Sequence, residues 1–210
     1  MARFIRQKFE VQDPEESKIY KQDSQEYRQE FDMSGLNIFF TGLRGSGKST
    51  LGKRVAKGLQ ARFVDTDEKV VERAGQSIAQ IVADKGWEAF RELEHKVLKK
   101  VSSENGQVIA TGGGIVLRDD NRELMHNRGQ IFYLMAQVPE LLARLENSPE
   151  TEQRPALSQK SLQEELAETL GQREHLYVSI ADHVLQAEKS PEELAEDVYQ
   201  ALGLNDGIKG

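Results

Sequence analysis

Gly42-Leu43-Arg44-Gly45-Ser46-Gly47-Lys48-Ser49-Thr50 is the stretch on which the fold turns. It fits G-x-x-x-x-G-K-[ST], with Gly42, Gly47, Lys48 and Ser49 at the defining positions. Before it, residues 36–41 form a short apolar run that predicts a buried strand. After it, Leu51, Val55 and Leu59 recur at helical spacing. A strand, a glycine turn and a helix start leave several backbone N–H groups without partners, aimed at one spot, and the helix dipole adds positive character there. A polyphosphate is the expected occupant, cradled by Gly45, Ser46, Gly47, Ser49 and Thr50. Lys48 is expected to reach the β- and γ-phosphates, and the Ser49 hydroxyl to ligate Mg²⁺. A glycine-rich turn could merely join a strand to a helix. The Lys-Ser pair and both flanks favour a nucleoside triphosphate site.

Working outward, strands alternate with helices. Residues 61–67 read as a second strand ending in two carboxylates, Asp65 and Asp67, and residues 68–73 as a helix stopped by Gly75. Ser77 is a cap for a helix carrying Ile78, Ile81 and Val82. Residues 87–102 form a longer helix with a stripe at Phe90, Leu93, Val97, Leu98 and Val101. Glu94 sits inside that stripe, and a carboxylate on a buried face needs a cation. Arg91, at i−3, is the nearest candidate. Residues 107–111 are the third strand, followed by Gly112-Gly113-Gly114. A helix over 119–127, a buried strand over 130–135 and a helix over 138–145 come next. Ser161 caps a helix that aligns Leu162, Leu166, Leu170 and Tyr177, with Arg173 on the same face. Residues 182–186 are the last strand, and Pro191 opens the closing helix. Five alternations predict an α/β fold: a parallel sheet with helices on both faces and ligands at the carboxyl ends of the strands.

Two segments fall outside this pattern. Residues 146–160 carry Pro149, Pro155 and little apolar content, as expected for a long surface loop of the kind that forms lids. Residues 1–33 mix charges of both signs and contain no glycine; a partly ordered arm outside the core is expected. The core is then residues 34–210.

At 210 residues the chain suits one α/β domain with appendages. The absence of cysteine excludes disulfides and thiolate metal sites. No apolar run approaches a membrane span, and the N-terminus lacks a signal-peptide core, so a cytoplasmic protein is expected. A formal charge of −7 argues against general nucleic-acid binding. It also demands that a protein holding ATP concentrate its cations locally. Many phosphate-loop enzymes hold Mg²⁺ with an acid at a strand end. The third strand ends in Thr111 and glycines, so Asp65 is the candidate and Asp67 is left to address something else. Either acid could instead only cap the next helix.

Taken together, GLRGSGKST, FVDTD, FRELE, ATGGG, RPAL and QREHLY resemble the shikimate kinase family, in the same order over residues 36–202. The resemblance implies a five-stranded parallel sheet with a mobile lid, a substrate-binding region near residues 66–98, and the lid near 146–160. It implies phosphorylation of the 3-hydroxyl of shikimate by ATP with Mg²⁺, a step in aromatic amino acid biosynthesis. By position it assigns Ser49 and Asp65 to the metal and Asp67 to the substrate hydroxyls. Arg91 and Arg173 would hold the shikimate carboxylate, Gly113 would offer a backbone N–H, and Arg154 would close over the reacting phosphate. Lys48, Asp67 and Arg154 are then the catalytic candidates. The family often has paired arginines before the lid, whereas Arg144 is followed here by Leu145; Arg144 and Pro191 are the adenine-side candidates. A monomer is expected, with a dimer left open. A gluconate-type kinase, which would share the loop and lid, is the alternative reading. A nucleotide kinase would need a second base pocket, for which no motif is present. A non-catalytic ATP-binding regulator would be expected to lose Asp67 or Arg154.

Overall fold

The structure is a computed structural model that describes residues 35–147 and 160–204. The expected arm at 1–33 and residues 148–159 of the expected lid, Arg154 among them, lie outside the described residues. Five strands, β1 (Asn37–Thr41), β2 (Arg62–Asp65), β3 (Gln107–Ala110), β4 (Gly129–Met135) and β5 (His183–Gln186), form one parallel sheet in the order β2-β3-β1-β4-β5. The helices are α1 (Lys48–Gly58), α2 (Thr66–Ala74), α3 (Ile78–Val101), α4 (Asp119–Arg128), α5 (Val138–Glu146), α6 (Leu162–Ile180) and α7 (Pro191–Ala201), with a 3₁₀ turn at Ile115–Leu117.

Strand order dictates where the helices go. Passing from β1 to β2 moves one way along the sheet; passing from β3 to β4 moves the other way, across β1. Right-handed crossovers therefore put α1 on one face and α4 and α6 on the opposite face. The last helix, α7, returns to pack beside α1. Because the chain leaves β1 in one direction and its neighbours β3 and β4 in the other, a crevice opens at the carboxyl end of β1. That is where the glycine loop lies. The central strands β1 and β3 are buried along their whole length, whereas the edge strands β2 and β5 are partly exposed. This is why β1 and β4 read as near-continuous apolar runs rather than alternating ones.

Beyond the main core, Val70, Ile78, Ile81, Phe90 and Val97 form a second apolar cluster between α2 and α3. The expected pair of helices over 78–102 is present, with the break at Gly86. There φ is 78° and ψ is 171°, a conformation open in practice only to glycine. Helix α3 can thus bend around the cluster while Ser77 and Gln80 form a reciprocal capping box at its start.

Asn37 shows how tightly the sheet start is specified. It is fully buried and pairs with Gly129, where a Cβ would lie 2.0 Å from the Asn37 carbonyl oxygen. Its side-chain amide donates to the Glu104 carbonyl at 2.9 Å, and its Oδ1 accepts from the Gln107 N–H at 3.0 Å. Asn37→Ala strands the buried Gln107 N–H, while the Glu104 carbonyl keeps the Gln107 side-chain amide at 3.1 Å. A loss of about 1–3 kcal/mol in urea unfolding is expected, with no change in the residues that face the crevice.

Candidate active site

Positive φ at Gly42 (139°), Gly45 (80°) and Gly47 (98°) wraps the loop around the start of α1. Gly47 caps α1 without a side-chain acceptor, and no acidic residue occupies the first turn, so the helix N-terminus keeps its donors and its positive field. Lys48 is nearly buried. Its ammonium donates to the Leu43 carbonyl at 2.7 Å and to Ser46 Oγ at 3.4 Å. It thereby staples the loop on which it stands.

The Ser49 hydroxyl donates to Asp65 Oδ2 at 2.6 Å, joining the start of α1 to the end of β2. Asp65 Oδ1 accepts from the backbone N–H of Asp67 at 2.9 Å and caps α2. Asp67 does not end a strand as expected. It is the second residue of α2, because the capping carboxylate of Asp65 starts the helix immediately after β2. The shift turns its side chain into a cleft beside the loop, where it is 9% exposed. Arg144, on α5, donates to the carbonyls of Ser46 at 3.1 Å and Gly45 at 3.4 Å and also to that of Ala187. It braces the outer side of the loop. Thr50 is exposed in the first turn of α1, and Pro191 is exposed in the first turn of α7, away from the cleft.

On the other side of the loop, the cleft is lined by Asp67, Arg91, Glu94, Gly113, Arg173 and others. The three glycines after β3 make it possible. A Cβ on Gly112 would lie 2.6 Å from oxygens of both Asp67 and Glu94, and one on Gly114 would lie 2.0 Å from the Arg91 guanidinium. Gly113 contributes its carbonyl, which accepts from Arg173 Nη1 at 3.2 Å and from the Tyr177 hydroxyl. Burial pushes the Tyr177 pKa far up, so the phenol remains a protonated donor. Tyr177 in turn stacks on Tyr133 of β4.

Three arginines enter this cleft, and their pairing differs. Arg91 meets Glu94 at 2.6 Å, as its spacing predicted, and lies over the rings of Trp87 and Phe90. Arg44, from the loop itself, meets Glu165 of α6 at 2.8 Å. Arg173 makes no ion pair among the described residues, and its Nε is buried without a hydrogen-bond partner there. Desolvation lowers the Arg173 pKa, and the neighbouring Arg91 charge lowers it further. A half-buried guanidinium with a buried, unsatisfied Nε donor next to a second guanidinium is a receptor for an anion with acceptor oxygens.

Of the residues expected from the sequence, the fold gathers Asp67, Arg91, Gly113 and Arg173 along the cleft, with Lys48, Ser49 and Asp65 at the adjoining loop and helix start. Glu165 and its bond to Arg44 were not anticipated. The signal was available: Glu165 is three residues after Leu162 and one before Leu166, inside the apolar stripe of α6, as Glu94 is inside that of α3.

The family model for shikimate kinase matches residues 44–203. Shikimate kinase 2 of Enterobacter sp. (strain 638) is 46% identical over 167 residues, covering 80% of this chain and 95% of that protein. Shikimate kinase from Acinetobacter baumannii, solved in complex with shikimate, superposes with a TM-score of 0.77 at 30% identity, over 82% of this chain and 96% of that one. The enzyme from Bacteroides thetaiotaomicron gives a TM-score of 0.75 at 31% identity, over 80% and 99%. The family model runs from within the glycine loop, through Arg44, Arg91 and Arg173, to just past the end of α7, and the chain belongs to the shikimate kinase family.

Proposed function

We propose that this chain transfers the γ-phosphoryl group of ATP to the 3-hydroxyl of shikimate, giving shikimate 3-phosphate and ADP. The observation that carries the reading is the half-buried Arg173, whose buried Nε has no hydrogen-bond partner among the described residues, beside Arg91 and across the cleft from the phosphate loop. A kinase acting on a neutral polyol would share the loop, but its substrate would leave that desolvated cation without a counter-charge.

The phosphate loop holds the nucleotide through Gly45, Ser46, Gly47, Lys48, Ser49 and Thr50. On nucleotide binding, the Lys48 ammonium leaves the Leu43 carbonyl for the phosphate oxygens. The Ser49 hydroxyl and the Asp65 carboxylate, 2.6 Å apart, are two hard oxygen donors of the kind Mg²⁺ accepts alongside phosphate and water. A bound Mg²⁺ neutralises charge on the β- and γ-phosphates. Arg173 and Arg91 hold the shikimate carboxylate, with Glu94 fixing the Arg91 fork. Asp67 accepts a hydrogen bond from the 3-hydroxyl and orients its oxygen for in-line attack on the γ-phosphorus. As the new P–O bond forms and the bond to the bridging oxygen of ADP breaks, the hydroxyl proton passes late to Asp67 or solvent. Such transfers depend mainly on positioning and charge stabilisation. Arg154, outside the described residues, is assigned to the transferring phosphoryl group by the family resemblance, and Arg144 and Pro191 to the adenine side. Arg144 acts there through its brace on the loop.

Lys48→Ala should reduce kcat to a few per cent of wild type or less in a coupled assay for ADP. A larger residual rate would remove the lysine from the phosphates.

Arg91→Ala and Arg173→Ala should each raise the shikimate KM about tenfold to a hundredfold, with the ATP KM little changed. They should separate in a thermal melt. Removing Arg91 deprives the buried Glu94 carboxylate of its cation, for which a loss of about 3–5 kcal/mol is expected. Removing Arg173 relieves a desolvated charge and leaves Tyr177 on the Gly113 carbonyl, so its melting temperature should hold. Equal damage to both KM values would argue against the carboxylate assignment.

Arg154→Ala should lower kcat about 10³-fold or less, since Lys48 and the metal share the same charge. Shikimate titrated without nucleotide should bind nearly as well as to wild type. A kcat within about fivefold of wild type would dismiss the assignment.

A further inference from the structure

Arg44 occupies an unusual position. Its backbone belongs to the phosphate loop and runs alongside Gly113, whose Cβ, if present, would lie 3.4 Å from the Arg44 nitrogen. Its side chain turns away from the nucleotide side and enters the other cleft. There Nη2 donates to Glu165 Oε1 at 2.8 Å, with the two side chains only 17% and 5% exposed. Glu165 stands in the first turn of α6, which begins where the expected lid ends and carries Arg173 two turns further on. Among the described residues, no other side-chain hydrogen bond joins the loop of residues 42–47 to α6.

A buried ion pair is a poor way to stabilise a fold, because the lost hydration offsets most of the Coulomb attraction. What it does well is fix geometry between the two elements that carry it. Here those elements are the one that holds the nucleotide phosphates and the one that presents Arg173 to the shikimate carboxylate. We infer that Arg44 and Glu165 are positioning residues: their bond sets the distance between the two substrates, so that the 3-hydroxyl and the γ-phosphorus meet in line. Neither residue need touch a reacting atom. This rests on the shikimate kinase reading above. It predicts a defect that appears when both substrates are bound, because each half-site remains intact by itself. A displacement of about 1 Å between bound reactants can lower a rate by a factor on the order of 100.

The test is the double variant Arg44→Gln/Glu165→Gln, which removes both charges of the pair together, with both single variants beside it. Readouts are kcat with ATP and shikimate, the Kd for each substrate titrated alone, and the melting temperature. The double variant should lose at least about tenfold in kcat, with both Kd values within about threefold of wild type. Each single variant should lose about as much as the double, since all three remove one shared interaction. A double variant with kcat within twofold of wild type would overturn the inference. So would a loss carried by the shikimate Kd, which would make Arg44 a binding group, or losses that add between the singles. Wild-type turnover of shikimate is the control: its absence would count against the proposed reaction itself.

Discussion

Three consecutive glycines after β3 set the condition that the rest of the site obeys. Two carboxylates, Asp67 and Glu94, press against Gly112, and the Arg91 guanidinium lies across Gly114. A single methyl group at either position would occupy space already taken by a charged side chain. The backbone between them is held by two donors from α6, Arg173 and Tyr177, on one carbonyl oxygen. Charges from α2, α3 and α6 can therefore converge within a few ångströms only because β3 ends without side chains. The sheet order supplies the place, at the crevice beside β1, and the glycines supply the room.

Convergence of this kind has an electrostatic cost that the pairing of the arginines makes visible. The protein is acidic overall, at −7, and yet gathers Lys48, Arg44, Arg91 and Arg173 around one crevice. Arg44 and Arg91 bring their own buried carboxylates, and each pair fixes an element: α6 in the first case, the guanidinium orientation in the second. Arg173 brings none. Its desolvation is tolerated because Tyr177 shares the Gly113 carbonyl with it and because stacking on Tyr133 anchors Tyr177 to β4. A site built in this way is incomplete without an anion. It therefore favours one over neutral polyols of similar size.

How much of this was legible follows from how local each cause is. The phosphate loop was legible because glycine conformation, helix start and lysine lie within nine residues. The sheet was legible from the apolar runs, and Arg91–Glu94 from a spacing of three on one helix. The position of Asp67 was misread by a few residues because the capping by Asp65 starts α2 earlier than apolar periodicity suggests. The role of Lys48 as a staple was hidden, since its acceptor at Leu43 comes from the loop's own fold rather than from any motif. Arg44–Glu165 spans 121 residues, and nothing local to either residue names the other. Glu165 alone was detectable, as a charge in an apolar stripe. The Tyr177 contact to Gly113 was beyond reach, because a tyrosine on a helix face reads equally well as core.

Asp65 shows why two readings of one residue need not compete. A carboxylate at a strand end could either cap the following helix or serve the metal, and each role was weighed against the other. The side chain has two oxygens and divides them. Oδ1 takes the N–H of Asp67 at 2.9 Å and begins α2, while Oδ2 takes the Ser49 hydroxyl at 2.6 Å. The cap removes the rotational freedom of the carboxylate, so the second oxygen is already fixed beside Ser49 before any ligand arrives. The same cap sets where α2 starts, and hence which way Asp67 faces. Local helix chemistry at one residue thereby orients acidic groups on both sides of the phosphate loop, and a pre-set arrangement of this kind is what phosphoryl transfer by positioning requires.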